Sequence, residues 1–243
     1  MSKAADLANL IGNINMGGGG VNRNLIINGA MNVAQRGTSS TGIGASSGYF
    51  TCDRWKITTG NTAGRLTMTQ DSSAPSGTGL ANSIKLDCTT ADTSIAADEL
   101  TIIGQSIEGQ NLQTVQKGTS SAVPITVSFY AKANASATYV AELFDHDNTR
   151  NNTRAFTVGT DWARVELTFI PDTTGTLDDD NAASLTFQIW LHAGSTYSGG
   201  TFSDNTWQSV TAANRYAGSR TSIFDSTSRE LFLTGLQLEV GQN

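Results

Sequence analysis

The chain has 243 residues, 38% of them hydrophobic and 15% charged, with a net charge of −6, 25 Gly, 3 Pro and 33 Thr. An acidic chain of this kind has no basic footprint for nucleic acid, and it contains no run of about 18 apolar residues to span a membrane. Thr suits pleated, half-buried surfaces while Gly and Asn serve turns, so the composition points to an all-β fold. Length admits one large domain or two smaller ones, and one domain of this size buries roughly 70–75% of its unfolded surface without staples.

Residues 1–16 read differently from the rest. The opening stretch 1–6 lacks the apolar core of a signal peptide, so synthesis in the cytoplasm is expected. Cys52 and Cys88 then read as buried free thiols and not as a disulfide. Two Cys and two distant His make no structural zinc site. Leu7, Leu10, Ile11 and Ile14 fall at i, i+3, i+4 and i+7, one apolar stripe on a short helix. So short a helix needs a partner surface. That surface is either its own domain, or another protein for which this stretch is an anchor or trimerising arm. Residues 17–20 are four glycines, a flexible joint, and no Gly-Lys-Ser/Thr follows to make them a phosphate loop. The expected division is an arm and linker over 1–20, helical or extended, and one domain over 21–243.

From Asn24 onward strands and turns alternate. Residues 25–27 end at Asn28 and Gly29, a turn pair. Residues 49–58 read as a strand through Trp55 and Ile57, and 65–69 and 83–88 alternate with period two. Residues 100–107 are apolar with Gly104 inside, which predicts a bulge or a bend. Residues 125–133 put Ile125, Val127, Phe129 and Ala131 on one face. Residues 138–144 form another strand, followed by turn-rich residues 145–148. Residues 162–170 turn Val165, Leu167 and Phe169 inward, residues 185–192 turn Leu185, Phe187, Ile189 and Leu191 inward, and 231–240 is the last strand. Nine or ten strands separated by Gly, Ser, Asn and Asp turns predict a β-sandwich of jelly-roll type. No fixed-period repeat points to a solenoid or propeller. Jelly rolls usually pair their terminal strands, which places 25–28 near 235–239.

The opposite strand faces carry polar and aromatic groups. Residues 185–192 display Thr186, Gln188, Trp190 and His192; residues 125–132 display Thr126, Ser128, Tyr130 and Lys132; residues 162–170 display Arg164, Glu166 and Thr168. Such a face suits sugar stacking, a subunit interface, or burial beneath other chain. Residues 193–222 are the longest unpatterned stretch and hold Tyr197, Phe202, Trp207 and Tyr216 among Ser, Gly and Asn. A loop that long is commonly functional, and aromatic anchors among small polar residues make binding loops. The same aromatics equally serve as a cap on one end of the sandwich.

Two end motifs carry a resemblance. Asn24-Leu25-Ile26-Ile27-Asn28-Gly29-Ala30-Met31-Asn32-Val33-Ala34-Gln35-Arg36-Gly37, continued at Asp53-Arg54-Trp55, resembles the opening of a family of bacteriophage tail-fibre and virion appendage domains. Leu233-Thr234-Gly235-Leu236-Gln237-Leu238-Glu239-Val240-Gly241 resembles its ending, with Gln105-Ser106-Ile107-Glu108-Gly109, Ser128-Phe129-Tyr130-Ala131-Lys132 and residues 171–176 between. The resemblance spans about residues 22–241. It implies a carbohydrate-binding jelly roll near the end of a fibre, a homotrimer, and a location on the virion. Residues 2–11 also resemble short segments of phage fibre proteins. The chain has no long shaft, which fits a compact knob or short appendage. By resemblance, a structural calcium near the paired termini draws on Asn28 and Glu239. From the residues themselves, the end motifs read as fold determinants, with Trp55 in the core and Asp53 and Arg54 paired at its edge.

No catalytic set is found. His146 and His192 lie outside any nucleophile-elbow context. Glycoside hydrolysis needs two carboxyls at defined separation, and the spacing of Glu142 and Glu166 is not legible. Residues 145–148 and 178–181 are acidic turns that are solvated or hold calcium, which takes six to eight oxygens. The expected function is a phage virion protein, a short fibre or knob. Leu7, Leu10, Ile11 and Ile14 attach it to other virion proteins. The candidate contacts to a host-surface glycan are Tyr130, Gln188, Trp190, His192, Tyr197, Trp207 and Tyr216. A capsid or tail cement protein with no receptor is the alternative, and a glycan-processing enzyme the remote one. No catalytic residue, no assigned metal ligand, no nucleic acid and no membrane insertion are expected, and no cofactor beyond that calcium.

Overall fold

The computed structural model describes residues 24–241, so the arm residues Leu7, Leu10, Ile11 and Ile14 lie outside the described residues. The architecture is an all-β sandwich of jelly-roll type built from two antiparallel sheets. The six-stranded sheet contains β1 (Ser39–Ile43), β4 (Arg65–Asp71), β5 (Ser83–Thr90), β7 (Ile125–Ala133), β10 (Ala163–Phe169) and β13 (Glu230–Val240), in the order β1-β4-β5-β13-β7-β10. The seven-stranded sheet contains β2 (Gly48–Tyr49), β3 (Lys56–Gly60), β6 (Leu100–Glu108), β8 (Ala137–Asp145), β9 (Arg150–Val158), β11 (Ala183–Ala193) and β12 (Gln208–Ser209), in the order β12-β9-β8-β11-β6-β3-β2. No helix among the described residues is long and apolar enough to cross a membrane.

Period-two alternation delivers one face of each sheet to a shared core. Val127, Phe129 and Ala131 of β7, Leu167 and Phe169 of β10, and Leu185, Phe187, Ile189 and Leu191 of β11 are all buried there. Phe129 meets Phe156 edge-on at 5.2 Å between ring centroids, a favoured aromatic geometry. Cys52 and Cys88 are free and buried, and burial pushes both thiols up to about 11.

The chain ends of the sandwich are joined as the motifs lead one to expect. Leu25 N–H donates to Leu238 O at 2.9 Å and Leu236 N–H donates to Gly29 O at 3.0 Å. Asn24 donates its amide to Leu236 O and accepts from Leu238 N–H. Gly29 is needed for closeness, because a Cβ there would lie 2.0 Å from Leu236 O. Residues 25–27 are nonetheless not a strand. The Gln105 side-chain amide, reaching from β6, takes both the N–H and the C=O of Ile27, so a side chain stands where a neighbouring strand would.

Four further readings are corrected. Residues 49–58 are not one strand but β2 and β3 separated by a turn at 51–54. Trp55 is buried as expected, donating its indole N–H to Asn28 O, but Asp53 pairs with Arg36 at 3.4 Å and not with Arg54. Gly104 neither bulges nor bends β6; it lets β11 approach, since a Cβ would meet Phe187 O at 2.7 Å and Gln188 Cβ at 2.8 Å. Residues 193–222 are not structureless. They contain a one-turn helix (Ser195–Ser198), β12 and a 3-10 turn (Ala212–Asn214), and they strap the outer face of the seven-stranded sheet.

Candidate functional site: a groove on the outer face of the seven-stranded sheet

Even-numbered positions of β3, β6, β8 and β11 face away from the core, and the strap rises beside them. Together they frame an open groove of about 330 Å³, within the range of ligand sites. Its floor is Gly104, Ser106, Thr186 and Gln188; Lys56, Thr58 and Tyr49 form one wall; Leu100, Ile102, Trp190, Tyr197 and Arg215 form the other, and Phe144 and His146 close one end. Gly104 deepens the floor because it presents no side chain between Lys56 and Gln188, its partners on either side.

A buried polar knot fixes the strap wall. The Glu142 carboxylate, fully buried, accepts from Asn151 at 2.7 Å, from the Trp190 indole N–H at 2.6 Å, from Gln188, and from Arg215 twice at 2.9 and 2.8 Å. Five donors on one carboxylate satisfy a charge that burial would otherwise make costly. The Arg215 guanidinium is held between the rings of Trp190 at 4.6 Å and Phe144 at 4.9 Å. Trp190 in turn stacks on Tyr216 and meets Tyr197 at 5.4 Å. At the closed end, His146 Nε2 hydrogen-bonds Thr186 Oγ1 at 2.7 Å, and Thr186 hydrogen-bonds Ser106 at 2.8 Å. Burial of its ring lowers the His146 pKa, against the pull of Asp147 and Asp145.

The structure gathers three of the seven expected contact residues in this groove, Gln188, Trp190 and Tyr197. Trp190 has no exposed surface and Tyr216 lies buried behind it with its hydroxyl donating to Thr221 O. His192 does not face outward. A bulge in β11 between Trp190 and His192 turns its ring inward, where Nε2 meets Glu99 Oε2 at 2.9 Å and the ring packs on Phe224. Trp207 anchors the strap elsewhere, donating to Ile170 O and lying 5.3 Å from Lys117 Nζ. Tyr130 belongs to β7, in the other sheet.

The expected acidic sites resolve in different ways. Asp145 is not a solvated turn residue: it is buried and paired with Lys117 at 2.6 Å. Asn28 Nδ2 donates to Val33 O and Asp53 O and its Oδ1 accepts from Val33 N–H, so the side chain ties the opening turn together. Asp92, Glu99 and His192 could together hold a structural metal ion, their ligand atoms lying within 4.8 Å of one another; they supply two of the six to eight oxygens that calcium takes, and one nitrogen. Thr62 and the amides of Ala63 and Gly64 orient Asp92, the Ala96 amide orients Glu99, and Ser222 orients His192. Such outer hydrogen bonds aim ligands. Burial acts to raise the Asp92 pKa, but hydrogen bonds from Glu99, Thr62 and those amides hold it below the usual value.

Arg215, Phe144, Lys56 and Tyr49 were not singled out from sequence. Glu142 carried a signal, an acid on the outward parity of an otherwise apolar strand. Arg215 carried none, because its partner lies 73 residues away.

No family model matches the chain, and no curated protein matches it. Among solved structures it is similar to a CBM4 structure, with 13% identity, 88% of this chain and 99% of that one covered, and a TM-score of 0.46. It is similar to a family 11 carbohydrate-binding module from Clostridium thermocellum in complex with a mixed-linked tetrasaccharide, with 12% identity, 84% and 96% covered, and a TM-score of 0.38. It is also similar to the enzymatically active domain of bacteriophage CBA120 tailspike protein 4, with 12% identity and a TM-score of 0.42, covering 89% of this chain and 21% of that one. The chain thus spans about a fifth of the length of that tailspike domain.

Proposed function

We propose that this chain is a non-catalytic saccharide-binding protein of a phage particle, a short fibre or knob held by residues 1–16 in three copies. One observation carries the binding half. The groove lining combines two aromatic rings that have accessible surface (Tyr49, Tyr197) with neutral hydrogen-bonding groups (Thr58, Ser106, Gln188) and contains no carboxylate. Rings stack on sugar faces, and amides and hydroxyls read sugar hydroxyls. Glycoside hydrolysis needs a carboxyl pair across the sugar, and this arrangement does not supply one. Glu142 lies beneath the wall with its oxygens taken, and Glu166 stands on the six-stranded sheet. The phage half rests on the resemblance of the end motifs and on the apolar stripe of Leu7, Leu10, Ile11 and Ile14.

A glycan array with the full chain tests the binding half. Tyr197→Ala and Gln188→Ala each weaken the retained glycan about tenfold, the worth of one stacking or hydrogen-bond contact. An array with no retained glycan overturns it. For the phage half, deletion of residues 1–16 yields particles lacking the protein; normal incorporation rejects the anchor. Particles that lack the protein, fall apart, yet still adsorb to cells support a cement role instead.

A further inference from the structure

We propose that the groove takes an anionic saccharide, whose charged group is seated by Arg54 and Lys56 beside Tyr49. This rests on the saccharide reading of the groove and adds the charge of the ligand.

The first observation is an imbalance of partners. The protein is acidic, with a net charge of −6, and its described cations are otherwise occupied. Arg36, Lys85, Lys117, Arg150, Arg154, Arg164, Arg215 and Arg229 pair with carboxylates. Arg65, Lys132 and Arg220 donate to backbone or hydroxyl oxygens. Among the described residues only the side chains of Arg54 and Lys56 have neither kind of partner. Chance would scatter two free cations over the surface. Instead they stand two residues apart in the chain and share one neighbour, Tyr49. Lys56 is opposite Tyr49 across β2 and β3 and lines the groove. Arg54 lines an adjoining depression with Tyr49, Ser106 and Glu108, and Tyr49 and Ser106 belong to both hollows.

The second observation is the backbone at Arg54, which has φ +73°. That left-handed conformation suits Gly or Asn and is strained for a long side chain. Seven described non-glycine residues take a positive φ, and Arg54 is the charged one among them, which points to a use for its side chain. Neither nearby carboxylate makes an ion pair with Arg54: Asp53 pairs with Arg36, and Glu108, which keeps its charge, accepts from the neutral amide of Gln110.

The chemistry then follows. A guanidinium binds a carboxylate through two parallel hydrogen bonds, and an ammonium adds a point charge. Tyr49, 47% exposed and with the Arg36 guanidinium 5.5 Å from its ring centroid, offers its remaining surface to the same sugar. A sugar acid in a chain of otherwise neutral sugars would place its carboxylate at Arg54 and Lys56 and the following residues along the Thr58, Gln188 and Tyr197 stretch. A nucleic acid fits less well, because two cations on an acidic protein neutralise too little of a polyphosphate.

The test uses the full chain against matched polymers, polygalacturonate and its carboxyl-reduced form, alongside an array of acidic and neutral glycans. We expect retention of the acidic member to exceed that of its neutral counterpart by about tenfold or more, the worth of one charge-assisted contact. That ratio falls toward one in about 0.5 M salt, which screens exposed charge, and in the Arg54→Gln, Lys56→Gln double variant. Arg54→Gly separates binding from folding: it relieves the backbone, so the thermal midpoint rises or holds while the acid preference drops. Equal retention of acidic and neutral members, or a ratio unmoved by the double variant, overturns the charge inference and leaves the saccharide reading standing. Acidic retention that survives Tyr197→Ala and Gln188→Ala unchanged overturns it as a groove site. If no glycan of either kind is retained, or only nucleic acid or acidic peptide is, both readings fall.

Discussion

The outer faces of the two sheets are made from similar residues and end in different states. On the six-stranded sheet, Arg164 and Glu166 lie two residues apart on one face of a strand, 3.5 Å from each other, with their side chains 45% and 47% exposed. On the seven-stranded sheet, Arg215 and Glu142 make a closer pair at 2.8 Å, in which Glu142 is fully buried and Arg215 is wedged between two rings. The difference lies in the strap. It covers one face, turns a polar strand surface into a built wall, and leaves a groove where it stops. The same alternation that fills the core therefore says nothing about which outer face becomes a site.

The largest test of this contrast is to remove the arginine on each face. Arg215→Ala leaves the Glu142 carboxylate buried without two of its five donors. Removing one partner of a buried pair costs about 3–5 kcal/mol. Arg164→Ala breaks an exposed pair, worth about 0–1 kcal/mol. Urea midpoints of the two variants measure this directly, and similar midpoints would show that the strap does not bury Glu142 in solution. A smaller effect is expected at the groove floor. Gly104→Ala forces a methyl against Phe187 O and Gln188 Cβ, and overpacking of this sort costs about 1–3 kcal/mol. It also fills the groove between Lys56 and Gln188, so glycan retention falls more than stability does. A variant that is destabilised but binds normally would separate Gly104 from the site.

Core strands were legible because apolar alternation is a local signal. β7, β10 and β11 put the expected residues inward. β9 was missed because Arg150-Asn151-Asn152-Thr153 is polar, although Asn151, Asn152 and Thr153 are buried. Their partners, Glu142, Asn205 and Ser203, lie in β8 and the strap, so nothing in the local pattern announces burial. The site shows the same limit. Gln188 and Trp190 were visible as outward residues of a strong strand. Arg215 and Lys56 were not, because their importance arises from what the strap and β2 bring beside them. His192 was misplaced by one bulge, which period two cannot foresee.

The last expected effect is a pH dependence, set by the buried ion cluster beside Trp207. Lys117 pairs with Asp145 at 2.6 Å and Asp172 at 3.1 Å, and donates to Thr174 O and Gly175 O. Burial acts to raise the Asp172 pKa, but Arg150, the Thr174 amide and Lys117 outweigh it, and the net shift is downward. A carboxylate with a depressed folded pKa contributes stability that is present above its unfolded value, near 3.8, and is lost as the pH falls through the folded value. In urea midpoints the loss from Asp172 is therefore confined below about pH 4, while the His146 ring, its pKa lowered by burial, adds a separate decline that begins as the pH falls below 6.5. In Lys117→Met, Asp145 and Asp172 face each other without the ammonium. The variant is less stable at neutral pH, and its deficit relative to wild type narrows in acid as protonation relieves the repulsion. A deficit that stays constant from pH 7 to pH 3 would mean that Lys117 acts by packing against Trp207, and that the acid loss comes from carboxylates elsewhere.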